Sequence, residues 1–174
     1  MKQRSDLFAL YFELLKKHSA FKHLVGAGTG VELLWGQSLE ALDSLGLGSF
    51  DGTLVDIGAG QGILGAAALE MFESAKVLLV EPDRRKAAFL IDLKIHLPAA
   101  LSARLFVEPN RIETVSRETI TRACPTGPRV LLARAFSSNR SLKSAIEDSV
   151  FSADPAFEFV YNEQQQKFVF RPLK

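Results

Sequence analysis

The segment Asp56-Ile57-Gly58-Ala59-Gly60-Gln61-Gly62-Ile63-Leu64-Gly65 constrains this chain more than any other. It follows the short apolar run Thr53–Ile57 and leads into residues 63–72, which are rich in Ala and Leu. A brief apolar run of this kind reads as a strand buried on both faces, and the stretch after it reads as helix. The glycines between them let the backbone turn tightly beneath a ligand, with no Cβ atoms in the way. In an open α/β sheet, ligands sit beyond the carboxyl ends of the strands, near the point where strand order reverses. This turn lies at that point if Thr53–Ile57 is the central strand.

The rest of the chain has the alternation such a sheet requires. Leu7, Phe8, Leu10, Tyr11, Leu14 and Leu15 recur at helical spacing. A glycine cluster at 26–30 reads as a flexible loop, because no strand precedes it. A second amphipathic helix is expected over 31–45. Further strands are predicted at Lys76–Val80, 104–107 and 129–133, and helices at 84–96 with Asp83 as cap, at 114–123, and from a Ser138 or Asn139 cap to about 150. Segments 157–161 and 167–170 read as a closing antiparallel pair, since their link is too short for a crossover. The expected fold is α/β and Rossmann-like: a mainly parallel sheet with helices on both faces and an N-terminal helical cap. A single domain over 1–174 is expected, with the cap at 1–50 and the core at 51–174.

Two cofactor classes fit the glycine turn. Gly60 to Gly65 matches the dinucleotide pattern G-x-G-x-x-G, which is weak evidence alone. Asp56 stands immediately before the turn and would repel a pyrophosphate there. It suits a ligand carrying a sulfonium and an ammonium, as S-adenosyl-L-methionine does. Glu81 ends the next strand 19 residues after Gly62, where a carboxylate can accept hydrogen bonds from two ribose hydroxyls. A purely structural glycine turn is the third reading.

Composition narrows the setting. With 21 Lys plus Arg against 20 Asp plus Glu, the net charge of +1 argues against a uniformly basic coat for nucleic acid. The charge is nevertheless segregated: residues 84–143 hold 12 basic and 4 acidic residues, so a local positive field beside the turn is expected. The single cysteine, Cys124, excludes an internal disulfide and reads as an incidental thiol. His18, His23 and His96 show no ligand spacing, and no metal is expected. No leader and no apolar stretch of about 18 residues is evident, so a soluble cytoplasmic protein is expected. Trp35 and most of the 13 Phe residues read as core.

From the glycine turn to Ser138 the chain resembles the bacterial small-subunit rRNA guanine-N7 methyltransferases of the RsmG (GidB) family. The family's Asp-x-Gly-x-Gly-x-Gly-x-Pro-Gly turn reads Asp56 to Gly65, with Leu64 in the Pro place. Its acidic strand end, basic pair and Phe-Leu read Glu81, Arg85-Lys86 and Phe89-Leu90. Its Arg-x-Glu reads Arg111-Ile112-Glu113, and its Arg-Ala-Phe/Val reads Arg134-Ala135-Phe136. The resemblance implies methyl transfer from S-adenosyl-L-methionine to guanine N7 of small-subunit rRNA. It implies Gly58 and Ile63 lining the cofactor turn, Ile112 and Glu113 against the adenine, and Arg134 in the active site. Asp56, Gly60, Gly62 and Glu81 complete the expected cofactor set. Arg84, Arg85, Lys86, Arg111 and Arg140 are candidates for RNA phosphate, or else a solvated surface. Arg134 in a structural ion pair is the bland alternative.

The chain also departs from that family. The cap motif His-x-x-Asp-Ser-Leu reads Gln37-Ser38-Leu39-Glu40-Ala41-Leu42, and the C-terminal part is expected to be shortened. A binding module that keeps cofactor or RNA affinity without methylation is therefore a second hypothesis. A methyltransferase with another RNA or a small-molecule substrate lies between the two. Expected partners are small-subunit rRNA or the ribosomal subunit, without DNA or membrane, and the expected state is a monomer.

Overall fold

The computed structural model describes residues 6–18, 30–123, 127–134, 142–162 and 167–173. Cys124, Arg140, His23, glycines 26 and 28, and the helix cap expected at Ser138 or Asn139 lie outside them. In chain order the elements are α1 (Asp6–Lys17), α2 (Val31–Ser44), β1 (Thr53–Ile57), α3 (Ile63–Met71), β2 (Lys76–Val80), α4 (Arg84–His96), α5 (Ala99–Ser102), β3 (Leu105–Glu108), a 3-10 turn (Ile112–Thr114), α6 (Arg117–Ala123), β4 (Arg129–Arg134), α7 (Leu142–Glu147), β5 (Ala156–Asn162) and β6 (Lys167–Pro172).

The strands form one six-stranded sheet in the order β3-β2-β1-β4-β5-β6. Strands β1 to β5 pair in parallel, and β6 runs antiparallel to β5. β1 is central, in register with β2 (Ile57 beside Val80) and β4 (Ile57 beside Ala133). Strand order reverses across β1, so the expected ligand crevice opens at its carboxyl end.

Side-chain alternation along the strands divides the core into two layers. Leu54, Val77, Leu79, Val130 and Leu132 pack in the cluster that contains residues of α1, α2, α3 and α4. Val55, Ile57, Leu78, Val80, Leu131 and Ala133 pack in the cluster that contains Ile112, Ala123, Leu142, Ile146 and Phe151. By this alternation Asp56 points to the Leu54 side, the side covered by the N-terminal helices and α3. Trp35 is buried there, edge-on to Phe8 at 5.1 Å between ring centroids.

β4, β5 and β6 extend one or two residues beyond the expected bounds, and four further departures from the sequence reading have a local cause. The helix expected from 114 is broken: a 3-10 turn comes first, and α6 starts only after Ser116, whose Oγ accepts the Thr119 N–H at 3.1 Å as an N-cap. A short helix, α5, follows Pro98, whose carbonyl accepts the N–H of Leu101 and of Ser102 at 2.9 Å each. β3 covers 105–108 rather than 104–107: the Arg104 N–H still closes the turn after α5, onto the Leu101 carbonyl at 3.0 Å. α7 ends at Glu147 instead of about 150: Ser149 Oγ accepts the Phe151 N–H at 3.1 Å and turns the chain.

Candidate cofactor site

The glycine turn leaves β1 with three left-handed residues: Gly58 at φ 69°, Gly60 at φ 60° and Gly62 at φ 73°. An L-residue with a Cβ is strained in each of these positions. The turn is tied to the neighbouring strand, since Gly58 N–H and Ala59 N–H both donate to the Val80 carbonyl, at 2.8 and 3.1 Å. Gly62 N–H donates to the Ala59 carbonyl at 2.8 Å, and Gly62 then opens α3.

The glycines divide by what surrounds them. A Cβ on Gly58 would meet no atom within 4 Å, and one on Gly60 only the Gly58 carbonyl oxygen at 3.9 Å. A Cβ on Gly62 would lie 2.5 Å from Leu90 Cδ2, and one on Gly65 2.3 Å from Leu79 Cδ2 and 3.1 Å from Val77 Cγ1. The first two therefore face open space, while the last two allow α3 to approach the sheet and α4. Ile63, next to Gly62, is buried.

Two buried carboxylates flank the turn. Asp56 is 2% exposed and stands in register with Leu79 and Leu132. Glu81 is 4% exposed, and both its oxygens accept backbone N–H groups: Oε2 from Gly60 at 2.7 Å and Oε1 from Asp83 at 2.8 Å. Glu81 thus braces the turn, and each oxygen keeps a lone pair for a further donor.

The basic run after Glu81 opens α4. Asp83 caps this helix, accepting the N–H of Arg85 at 2.9 Å and of Lys86 at 3.1 Å. The Lys86 N–H, opposed by burial and helped by the Arg85 N–H and both cations, holds the Asp83 carboxyl below its usual range. That charge offsets three cations placed where the helix dipole disfavours them. Arg84 and Arg85 are exposed and Lys86 is half-buried.

The third motif follows β3. Arg111 is exposed, and Ile112 is 3% exposed within the second core layer. Glu113 lines a cleft of about 550 Å³ with Arg117, Ile120 and Arg129; none of the turn residues lines it. The loop carrying this motif is held from below by buried Glu108, which accepts from Thr119 Oγ1 at 2.9 Å and from the Asn110 amide. Arg134 ends β4, one residue past the pair Ile57 and Ala133, across the switch point from the turn.

One residue that sequence reasoning left among apolar core positions belongs to this site. Tyr11, fully buried in α1, donates its hydroxyl to the Gln61 carbonyl at 3.1 Å. The available signal was Tyr rather than Phe in a core stripe, since a buried phenol requires a partner.

Comparison with solved structures places the fold among methyltransferases. The glycopeptide N-methyltransferase MtfA, complexed with sinefungin, matches at TM-score 0.54 and 14% identity, over 73% of this chain and 55% of that one. An S-adenosyl-L-methionine-dependent methyltransferase candidate from Methanococcus maripaludis matches at TM-score 0.51 and 11% identity, over 91% and 65%. An RNA methyltransferase candidate from Pyrococcus horikoshii matches at TM-score 0.50 and 17% identity, over 94% and 76%. The chain thus spans less than two thirds of the length of the first two. A search of curated proteins returns no match. The sequence profile of GidB, rRNA small subunit methyltransferase G, matches residues 4–153. The chain belongs to the GidB family, rRNA small subunit methyltransferase G.

Proposed function

We propose that the chain transfers a methyl group from S-adenosyl-L-methionine to guanine N7 of small-subunit rRNA. The observation that carries this reading is the turn at the carboxyl end of β1. Gly58 and Gly60 leave open space over a backbone that any Cβ would strain. Two buried acids stand beside that space. A cofactor with a positive sulfonium, an ammonium and a ribose fits this set: open backbone beneath it, Asp56 for positive charge, and the free lone pairs of Glu81 for hydroxyls. When bound, such a cofactor supplies an electrophilic methyl group.

The remaining work falls to placement. Guanine N7 has a free lone pair and no proton to lose, so no general base is needed. The nucleophile has to be held in line, about 3–3.5 Å from the methyl carbon. Arg134, at the end of β4, is assigned to hold the base or a phosphate next to it. Ile112 and Glu113 are assigned to the adenine side of the site. Arg84, Arg85, Lys86 and Arg111 follow the carboxyl ends of β2 and β3 and are assigned, with Arg140, to RNA phosphate. Among the described residues no helix is long and apolar enough to cross a membrane. A cytoplasmic monomer that meets rRNA or the assembled subunit completes the proposal.

Calorimetry with S-adenosyl-L-homocysteine tests the cofactor half, with saturable binding expected for the wild type and none for Gly58→Arg. Radiolabelled cofactor, offered with undermethylated small subunits or total RNA, tests the transfer half. Label in subunit RNA is the expected result. The binding-module reading is motivated by the cap, where Gln37 and Ala41 depart from the family motif. Cofactor binding with no label in either RNA would establish that second reading instead.

A further inference from the structure

The glycine turn is held from the sheet side by Glu81, but its outer carbonyl is held by an element far away in sequence. Tyr11 lies in α1, 50 residues before Gln61, and its hydroxyl reaches the Gln61 carbonyl at 3.1 Å. The ring is enclosed on this side of the turn. It is fully buried, with its centroid 5.5 Å from that of Trp35 on α2 and 6.1 Å from that of Phe89 on α4. Phe89 also packs edge-on to His18, just beyond the end of α1, at 5.2 Å. Three helices therefore aim one phenol at the middle of the turn. Gln61 lies between two left-handed glycines; its peptide to Gly62 is tied inside the turn at the N–H end, through the Ala59 carbonyl at 2.8 Å, and Tyr11 adds a second anchor at the carbonyl end.

We propose that Tyr11 is a positioning residue for the cofactor site: its hydroxyl fixes the Gln61 peptide, and through it couples α1 to cofactor binding. The inference rests on the reading of the turn as the cofactor site. If α1 holds the turn in its binding geometry, then bound cofactor must in return stabilise α1, because coupling between two sites is reciprocal. A phenol serving only as core filler would affect stability without this linkage.

The test compares the full-length wild type with Tyr11→Phe and Phe8→Leu. Phe8 shares the aromatic cluster through Trp35 and Phe12, with centroids 5.1 and 5.8 Å away, and serves as the packing control. Affinity for S-adenosyl-L-homocysteine is measured by calorimetry, and backbone amide exchange by mass spectrometry with and without that ligand. Tyr11→Phe is expected to bind about two- to tenfold more weakly, the range of one lost buried hydrogen bond. Phe8→Leu is expected to lower the melting temperature while its affinity stays within about twofold of wild type. Ligand is expected to slow exchange in α1 of the wild type and to do so less in Tyr11→Phe. Equal affinity of Tyr11→Phe and wild type, or an equal loss in both variants, overturns the proposal. Absence of binding by the wild type overturns the cofactor reading itself. In that case exchange at Gln61 and Gly62 in the free proteins decides the anchor alone: faster exchange in Tyr11→Phe supports it, and unchanged exchange removes it.

Discussion

Within the fingerprint, neighbouring glycines perform different tasks, and substitution separates them. Gly65 has no backbone strain to relieve, but a methyl group there would stand 2.3 Å from Leu79 Cδ2 and 3.1 Å from Val77 Cγ1. The leucine end can rotate away, whereas the β-branched valine cannot do so easily. Gly65→Ala is therefore expected to cost about 1–3 kcal/mol by overpacking. Thermal unfolding should show a fall of roughly 3–10 °C for a chain of this size. Trimming Leu79 to Ala in the same chain should make the second change cost less than it does alone, and strict additivity would show that the clash is not the cause. Gly58 is the opposite case. Its Cβ would enter empty space at φ 69°, so Gly58→Ala carries only the left-handed penalty of about 1–2 kcal/mol. Its larger expected effect is on ligand affinity, because the methyl group fills the space over the turn. Calorimetry that found full affinity in Gly58→Ala would move the ligand away from this face.

Two helix ends show how charge is spent on the elements. Arg104 donates from Nη1 to the carbonyls of Phe72 and Ala75, at 2.7 and 2.9 Å, and from Nη2 to that of Leu69 at 3.0 Å. These carbonyls lie at the end of α3 and in the turn into β2, where the helix dipole also favours a cation. Arg104→Met is expected to destabilise by about 2–3 kcal/mol, and Arg104→Lys to recover only part, since a point charge cannot match three separate acceptors. Denaturant unfolding of the pair checks this. At the other end of the same layer, Asp83→Ala should cost about 0.5–2 kcal/mol through the lost N-cap of α4. The Asp83 carboxyl is held below its usual range, so its contribution is full above the ordinary aspartate pKa of about 3.9 and disappears as pH falls through the lowered value. The difference between wild type and Asp83→Ala should therefore be constant near neutrality and close in acid. These caps also explain what was legible from sequence. Asp83 and Pro98 are local signals, and the limits of α4 follow from them. The six strands follow from apolar runs. The break at Ser116 was missed because Thr114 to Ala123 carries a helical pattern, and only the buried Val115 and the Ser116–Thr119 bond set the true start. Arg104 and Tyr11 act on partners 29 to 50 residues away, and no local pattern announces such contacts.

On the scale of the whole molecule, six of the twelve cations of residues 84–143 divide between the two rims of the sheet. Lys94 donates to the carbonyls of Ser102 and Leu105, Arg104 holds the end of α3, and Arg129 pairs with Asp154 at 2.8 Å. These three stand by the amino ends of β3 and β4 and are consumed by structure. Burial, with the nearby Arg122 cation, holds Lys94 below the usual lysine range, which is the cost of using an ammonium as a strut. Arg84, Arg85 and Arg111 instead follow the carboxyl ends of β2 and β3, are exposed, and share their rim with the glycine turn. A count along the sequence cannot make this distinction, because Arg104 and Arg111 are only seven positions apart. If the carboxyl rim receives RNA, affinity should fall steeply with salt, with a slope set by the number of phosphates neutralised. Replacing Arg84, Arg85 and Arg111 together with Gln should flatten the slope of log affinity against log salt by about 2–3, at nearly unchanged melting temperature. Arg104→Met should do the reverse, lowering the melting temperature and leaving the slope alone. Filter binding of a small-subunit rRNA fragment over a salt series measures both. Equal slopes for the triple variant and wild type would place the RNA on another surface, and a flattened slope in Arg104→Met would show that the two rims do not divide their charges in this way.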